Sequence, residues 1–340
     1  MQNRLKAALA ATCIAGLVSA ASAVNAAEVN VYSYRQPELV QPLFDAFTAK
    51  TGIDVNVAFL NKGLVEKLVA EGKRSPADLV LTVDIARLSS VVEAGVTQPV
   101  DSAVLAANIP AEFRDPGNQW FGLTSRARVV FASKDRVADG EVTTYEDLAD
   151  PKWQGRICIR SGLHAYNLAL FASVIAHHGE DGAKAWLEGL KANLARKPQG
   201  NDRGQIKAVW AGECDIAIVN TYYFGEMMQD AEQTVWADSV RPVFAAFEGA
   251  GTHVNLSGMA MTAAAPNRDN ALKLMEFLSS PEAQEIYAEV NFEYPVLPGT
   301  KISDTVAAWG SFTPDSVNLM ELAGLRAAAL RLVEEVHFDD

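Results

Sequence analysis

The 340-residue sequence predicts an α/β protein built as two lobes, with a ligand cleft at the hinge between them. Strand patterns alternate with helix patterns along the first part of the chain, which is typical of parallel β-α-β units. The length suffices for two domains of ordinary size. No Pro-, Gly- or Ser-rich linker separates the two halves. We therefore expect the chain to cross between lobes more than once on extended segments, leaving a cleft of the kind that ligands prefer.

The first third of the chain carries the clearest alternation of elements. Apolar runs predict strands at residues 29–34, 53–59 and 78–83. Helices between and after them are indicated by Leu39, Leu43, Phe44 and Phe47 with Gly52 as the stop, by Leu64, Leu68 and Val69, and by residues 86–95. The last of these strands is apolar throughout, as in a parallel strand that is buried on both faces.

The rest of the chain continues the alternation of strands and helices, and its helices are longer. Strands are predicted at residues 126–131, 156–160, 214–220 and 253–261. Helices are predicted from Tyr145 and at 167–177, 183–192, 206–211, 271–278, 281–290 and 319–336. We place the crossings near residues 125–131 and 255–262. The predicted lobes are therefore 28–125 plus 262–302, and 126–261 plus 303–340.

Composition excludes several classes of protein. Hydrophobic residues are 49% and charged residues 21%, an ordinary balance for a folded chain. The formal net charge is −13, which disfavours binding to nucleic acid or to an anionic membrane surface. Beyond the N-terminal segment, no run approaches 18 apolar residues, so we expect no membrane-embedded segment in the mature protein.

The N-terminal segment has the features of a secretory signal peptide. Arg4 and Lys6 precede an uncharged, Ala-rich run at residues 7–21. The sequence Val24-Asn25-Ala26 suits signal peptidase cleavage beside Ala27, so residues 1–27 are assigned to the signal. The alternative, a membrane anchor, is disfavoured because the run is too short and too rich in alanine. The mature chain is therefore predicted to be exported.

The two cysteines of the mature chain, Cys158 and Cys214, suggest a disulfide. Both lie in short apolar runs that predict buried strands, and an exported protein meets an oxidising compartment. Neighbouring strands would bring the two sulfur atoms together. The alternative is a pair of buried free thiols that pack as small hydrophobic groups.

Three tyrosines are the candidate ligand-binding residues. Tyr222 and Tyr223 directly follow the predicted strand at 214–220, and Tyr166 starts the helix after the strand at 156–160. In open α/β sheets, ligands bind at the carboxyl ends of strands. The alternative is aromatic packing at the strand ends.

Arginines supply a candidate anion site. Arg35 and Gln36 come just before a helix that starts near Pro37, and a helix N-terminus favours negative charge. Arg126 and Arg128 share one face of a strand at the predicted hinge and offer planar guanidinium groups. The alternative is that these arginines pair with the plentiful carboxylates.

Catalytic motifs are missing from the sequence. It contains no His-Glu-x-x-His, no Gly-x-Ser-x-Gly and no phosphate-binding glycine loop, and its five histidines lack a helical metal-ligand spacing. We assign no catalytic residue and expect a binding protein rather than an enzyme. An exported hydrolase is the rival from another class.

Several segments together resemble the periplasmic ferric-iron-binding proteins of ABC transporters. They are residues 31–35, 75–84, 120–128, 220–223, 251–253 and 256–258. The resemblance implies a two-lobed periplasmic binding protein fold of type II, transferrin-like, with Fe3+ in the cleft. It implies Tyr166, Tyr222 and Tyr223 as metal ligands. It also implies a location in the periplasm and an inner-membrane ABC permease as partner, and we expect a monomer.

One departure narrows the resemblance to a subgroup. Many members carry a histidine just after the first strand, where this chain has Gln36 and Pro37. The chain therefore resembles the subgroup that uses three tyrosines and a synergistic carbonate or bicarbonate. In that subgroup Arg35 and Arg126 would hold the anion, with Gln36 as a helper, and their two charges would offset those of carbonate. Tyr34 is close enough to the cleft to be considered. A binding protein for another small solute, such as an oxyanion, polyamine or sugar, is the alternative.

Overall fold

A computed structural model describes residues 27–340 of the chain. Residues 1–26, which carry the predicted signal, lie outside this range. The strands are β1 (Glu28–Ser33), β2 (Asp54–Phe59), β3 (Leu79–Thr82), β4 (Phe121–Ser133), β5 (Ile157–Cys158), β6 (Ile216–Asn220), β7 (Val240–Val243), β8 (Val254–Met261) and β9 (Tyr294–Pro295). The helices are α1 (Pro37–Thr51), α2 (Leu64–Glu71), α3 (Ile85–Glu93), α4 (Ala103–Asn108), α5 (Ala165–Ala192), α6 (Asp202–Trp210), α7 (Thr221–Met228), α8 (Thr234–Ala237), α9 (Arg268–Leu278), α10 (Pro281–Asn291), α11 (Asp304–Ala307) and α12 (Leu319–Glu335).

The strands form one mixed sheet in the order β2-β1-β3-β8-β4-β6-β5, with β7 and β9 also paired to β4. The pairs β1–β2, β1–β3 and β5–β6 are parallel, as the alternation of strands and helices predicted. The pairs of β8 with β3 and β4 are antiparallel. Each half of the sheet therefore contains a parallel β-α-β core, and the antiparallel strands join the halves.

Strand β4 connects the two halves of the sheet. Its first part, through Ala127, pairs with β8, and from Arg128 onwards it pairs with β6 and β7. All thirteen of its residues are buried, which fits a strand covered on both faces. The sequence analysis places a crossing between the lobes near residues 125–131, within this strand, and that crossing stays a prediction. The exact lobe boundaries remain a prediction.

Local sequence explains how the site-bearing elements start and stop. Helix α1 has Pro37 in its first turn and ends at Gly52, whose φ of 70° suits glycine. Its buried side chains are Val40, Leu43, Phe44 and Phe47, at the predicted helical spacing. They pack in the core cluster that covers β1 and β3, so the turn after β1 is held firmly beside the cleft.

Some element predictions were wrong in extent. The strand predicted at 156–160 is only β5, because Arg156 and Ile159 lie outside its ladder with β6. The two helices predicted at 167–177 and 183–192 form one helix, α5, with a kink at Gly179. Helix α7 was not predicted, because its eight residues are too short to show a clear period.

Two other predictions fall within residues 27–340, namely the disulfide and the lack of a membrane-embedded segment. The structure joins Cys158 of β5 to Cys214, just before β6, with the sulfur atoms 2.12 Å apart. No helix within residues 27–340 has both the length and the apolar character needed to cross a membrane.

Candidate functional site

The three candidate tyrosines meet at the N-termini of two helices. Tyr166 is the second residue of α5, and Tyr222 and Tyr223 are the second and third of α7. The Tyr222 hydroxyl donates to the Tyr166 hydroxyl at 3.1 Å, and the rings of Tyr222 and Tyr223 lie 4.2 Å apart. Helical side chains lean towards the N-terminus, so all three phenols project from the helix ends into one cleft.

The loop before α5 is fixed by side chains that the sequence analysis did not single out. His164 caps α5 by accepting the Tyr166 N–H, and its ring meets the Tyr166 ring edge-on at 4.5 Å. The Asn167 amide donates to the carbonyl oxygens of Arg160 and Ser161, both at 2.9 Å. These bonds hold the turn between β5 and α5 and so determine where the Tyr166 phenol lies.

Two of the phenols, Tyr222 and Tyr223, are protonated at neutral pH when no metal is bound. Desolvation, together with the nearby Tyr166 and Tyr223, raises the pKa of Tyr222 well above its usual value, while Arg126 acts in the opposite direction. Desolvation and Tyr166 likewise raise the pKa of Tyr223. The partial positive charge at the N-termini of α5 and α7 favours a phenolate over a phenol. A bound cation would add to that effect and allow ionisation.

Arg35 lies in the same cleft but is already paired. Its Nη2 donates to the two carboxylate oxygens of Glu293, at 2.8 and 3.1 Å, and to Ser257 Oγ. Burial acts to lower the pKa of the guanidinium, but Glu293 together with Tyr287 and Tyr222 leaves that pKa raised. Arg35 is thus a permanent cation whose charge is balanced before any ligand arrives.

Among the arginines that line the cleft, Arg126 has no carboxylate partner within residues 27–340. It is 2% exposed, its Nη1 donates to Ser257 Oγ at 3.0 Å, and its buried Nε has no hydrogen-bond partner within the described residues. A buried guanidinium with an unpaired donor needs an anion. Arg126 is therefore the stronger candidate of the two predicted anion-binding arginines.

Arg128, the other arginine on this face of β4, has a structural role. Its guanidinium donates to Asn167, Asp202 and Asn220 at distances between 2.6 and 3.2 Å. Asp202 also accepts from Arg160, at 3.1 Å. These bonds tie β4, α5, α6 and β6 together behind the tyrosines.

Two further arginines line the tyrosines. Arg160 lies 5.5 Å from the Tyr166 ring centre, and Arg203 lies 5.4 Å from that of Tyr223. Arg203 forms an ion pair with Glu226, which is on α7 with the tyrosines. Burial raises the pKa of the Glu226 carboxyl, and Arg203 opposes that rise. The sequence analysis missed these residues, because nothing local distinguishes them from surface charges.

The cleft is wide enough for more than a bare metal ion. Its volume is about 600 Å³, and its wall includes the three phenols, Arg35 and Arg126. Gln36 and Tyr34 also line it. Gln36 is exposed and precedes α1 without capping it through its side chain, so its amide is free to contact a ligand. Arg87 lies 4.9 Å from the Tyr34 ring centre.

The sequence of the chain matches a known protein family over most of its length. The family profile of bacterial extracellular solute-binding proteins matches residues 74–311. The chain belongs to this family. As a solute-binding protein it is expected to work with the permease of an ABC transporter outside the cytoplasm, which is the general setting that the sequence predicted.

Relatives of this solute-binding protein carry names that refer to iron. Iron uptake protein A1 of Synechocystis sp. is 45% identical over 311 residues, covering 91% of this chain and 86% of its own. Ferric iron-binding protein A of Mannheimia haemolytica, in an open conformation, is 52% identical with a TM-score of 0.89, covering 93% of this chain and 100% of that one. A Trichodesmium protein in complex with iron and citrate ligands is 44% identical with a TM-score of 0.88, covering 92% and 99%. The predicted resemblance and the two-lobed fold are confirmed.

Proposed function

We propose that this protein captures Fe3+ in the cleft through the phenolates of Tyr166, Tyr222 and Tyr223, and delivers it to an inner-membrane ABC permease. The observation that carries the proposal is the convergence of three phenols on one cleft, from two helices whose residues Tyr166 and Tyr222 are 56 positions apart. Fe3+ is a hard cation that prefers anionic oxygen ligands. The relatives named for iron uptake support iron over a polyamine, sugar or other oxyanion.

A small oxyanion completes the proposed site. Carbonate or bicarbonate would accept hydrogen bonds from Arg126 and Arg35, and Gln36 lies on the same wall. The unpaired Nε of Arg126 supports this placement. The anion would then supply oxygen ligands to the metal in addition to the phenolates.

The charges of the surrounding groups fit a dianion. Arg35 is cancelled by Glu293, which the sequence-based count of two free arginines did not include. Arg126 supplies one positive charge, and a second comes from Arg128 and Arg160, which share the single carboxylate of Asp202. Fe3+ balances three phenolates, so carbonate would leave the assembled site neutral. A buried site near neutrality avoids the cost of an uncompensated charge.

A polycarboxylate is the second candidate anion. The cleft volume of about 600 Å³ exceeds what one carbonate and one metal ion need, and the Trichodesmium relative was solved with iron and citrate. Both candidates use the same arginines, so they differ in size and charge rather than in location.

The proposal also covers the location, the loading and the delivery of the iron. The chain is exported to the periplasm, loads iron by closing the lobes around the cleft, and releases it to the permease as a monomer. The proposal assigns binding and no catalytic step to the cleft residues.

The test is a titration of the metal-free mature protein with a ferric salt in bicarbonate buffer, followed by its visible spectrum. We expect a phenolate-to-iron charge-transfer band that saturates at about one equivalent, and its loss or shift in Tyr222→Phe. The matched control is Tyr32→Phe, because the Tyr32 hydroxyl bonds to Glu71 away from the cleft. A wild-type protein that stays colourless and takes up no iron would refute the proposal.

A further inference from the structure

Within the described part of the chain, Glu293 is the one carboxylate that bonds directly to the proposed anion-binding arginines. It is 1% exposed and follows α10 at the base of the cleft. Its oxygen atoms accept from Arg35 Nη2 and from Thr124 Oγ1. The function proposed above assigns Glu293 no contact with iron or with the anion and uses it only to balance the charge of Arg35.

The two arginines and Glu293 form one connected cluster. Ser257 Oγ accepts from both Arg35 and Arg126, so a single hydroxyl group separates the two guanidinium groups. An oxyanion held by both arginines would therefore bind beside the Glu293 carboxylate. Two anions around one guanidinium repel each other strongly where little water screens them.

We infer that Glu293 is a specificity-determining residue of the anion site: it is the built-in counter-anion of Arg35 and limits the negative charge that the cleft accepts. When the cleft is empty, the carboxylate balances a buried cation that would otherwise be uncompensated. When an anion arrives without iron, the carboxylate repels it. Firm anion binding then requires the positive charge of Fe3+, and abundant free anions do not block the empty cleft. The inference rests on the proposed anion site.

The first experiment measures anion binding to the iron-free protein by calorimetry, with citrate and bicarbonate as separate probes. Glu293→Gln keeps the shape of the side chain and removes its charge. We expect it to bind citrate at least about tenfold more tightly than the wild type, and bicarbonate with a smaller gain, because repulsion grows with the charge of the probe. Unchanged or weaker binding of citrate would overturn the inference.

The matched control is Glu282→Gln. Glu282 lies at the start of α10 and pairs with Lys50 on the surface, at 2.6 Å. This variant changes the net charge of the protein by the same amount, away from the cleft. Its affinities should stay within about twofold of the wild type at moderate salt, since exposed charges are screened.

A second comparison decides the question even if Glu293→Gln folds poorly. Arg35→Gln leaves the Glu293 carboxylate without its partner, so it should weaken citrate binding. Adding Glu293→Gln to Arg35→Gln removes that carboxylate. The double variant should bind citrate at least about tenfold more tightly than Arg35→Gln alone. Equal affinities of the single and double variants would show that Glu293 does not act on the anion, and would overturn the inference.

Iron uptake is measured separately by the ferric charge-transfer band. A protein that takes up no iron but binds citrate more tightly without Glu293 would refute the proposed function and uphold this inference. If the protein loads iron but Glu293→Gln does not change its affinity for anions, only the inference is refuted.

Discussion

Gly225 and Phe292 are packed so closely that a Cβ atom on the glycine would lie 2.3 Å from Cγ of the phenylalanine. Gly225 belongs to α7, the helix that carries Tyr222 and Tyr223, and Phe292 directly precedes Glu293. The contact therefore sets the position of two proposed metal ligands relative to the carboxylate that holds Arg35.

Replacing this glycine should cost stability and iron affinity together. In Gly225→Ala the added methyl group must displace α7 or Phe292, which typically costs about 1–3 kcal/mol and outweighs the better helix propensity of alanine. Urea unfolding and the ferric titration measure the two effects. The control is Gly324→Ala, an exposed position of α12 with nothing within 4 Å, where we expect a gain of up to about 1 kcal/mol.

A second substitution separates the contact from other effects of the mutation. Phe292 has a φ of 54°, which glycine adopts without strain, so Phe292→Gly removes the obstructing ring at a tolerant position. Iron affinity in Gly225→Ala should improve when Phe292→Gly is added. If it does not, the close contact is not what positions the tyrosines.

The hydroxyl groups of Tyr166 and Tyr222 should act as a unit. Each substitution by phenylalanine removes a proposed ligand, and we expect a loss in iron affinity of roughly 100-fold or more, the upper end of what outer-sphere changes cause. The loss in the double variant should fall short of the sum by about 0.5–3 kcal/mol, because each single variant also disturbs the partner 3.1 Å away. Strictly additive losses, measured by competition with a ferric chelator, would contradict direct coupling.

Iron binding should release protons and weaken as the pH falls. Desolvation raises the pKa of Tyr222 and Tyr223, so both are neutral before metal binds and must lose a proton to become ligands. Protonation and metal binding compete, so each such phenol should cost up to about tenfold in affinity per pH unit of acidification.

The number of protons identifies the number of phenolates. A pH-stat titration with a ferric chelate, corrected by a protein-free blank, should show about three protons from the phenols for each iron bound, and about one fewer in Tyr223→Phe. Bicarbonate that binds as carbonate adds one more in both proteins. Iron binding without net proton release would exclude phenolate ligands.

The bond between Cys158 and Cys214 should stabilise the half of the sheet that carries the tyrosines. It links residues 56 positions apart in the sequence. Replacing both cysteines with alanine should lower the free energy of unfolding by roughly 2–4 kcal/mol, mainly because the unfolded chain gains freedom. Urea unfolding measures this change, and reduction of the wild type should reproduce it. Two thiols that react with an alkylating reagent in the untreated protein would refute the bond.

Local sequence patterns predicted most of the helices and strands. The spacing of Val40, Leu43 and Phe47 fixed α1, and the apolar run before Tyr222 fixed β6, because burial repeats with the period of the element. The same reasoning predicted the three tyrosines at the carboxyl ends of strands. It predicted too great a length for β5. The apolar residues that flank this short strand are buried in the core without pairing to a neighbouring strand, so burial did not mark where the strand ends.

Side-chain partners could not be predicted in this way. Arg126 and Arg128 lie on the same face of β4. Arg126 nevertheless has an unpaired donor, whereas Arg128 is bonded to three side chains. The difference depends on Asp202 and Asn220, which other segments bring alongside. A sequence pattern does not report which distant carboxylate reaches a given guanidinium.

The sequence by itself determined an α/β chain, with phenols at strand ends and arginines beside a helix start, and its export stays a prediction. Those features depend on neighbours within a few residues, where backbone periodicity controls position. Only the tertiary structure decided that Glu293 meets Arg35 across 258 positions, and that Tyr166 meets Tyr222. Buried charges and phenols gain their properties from whatever groups the packed sheet brings into contact with them, and that contact exists only once the whole chain has folded.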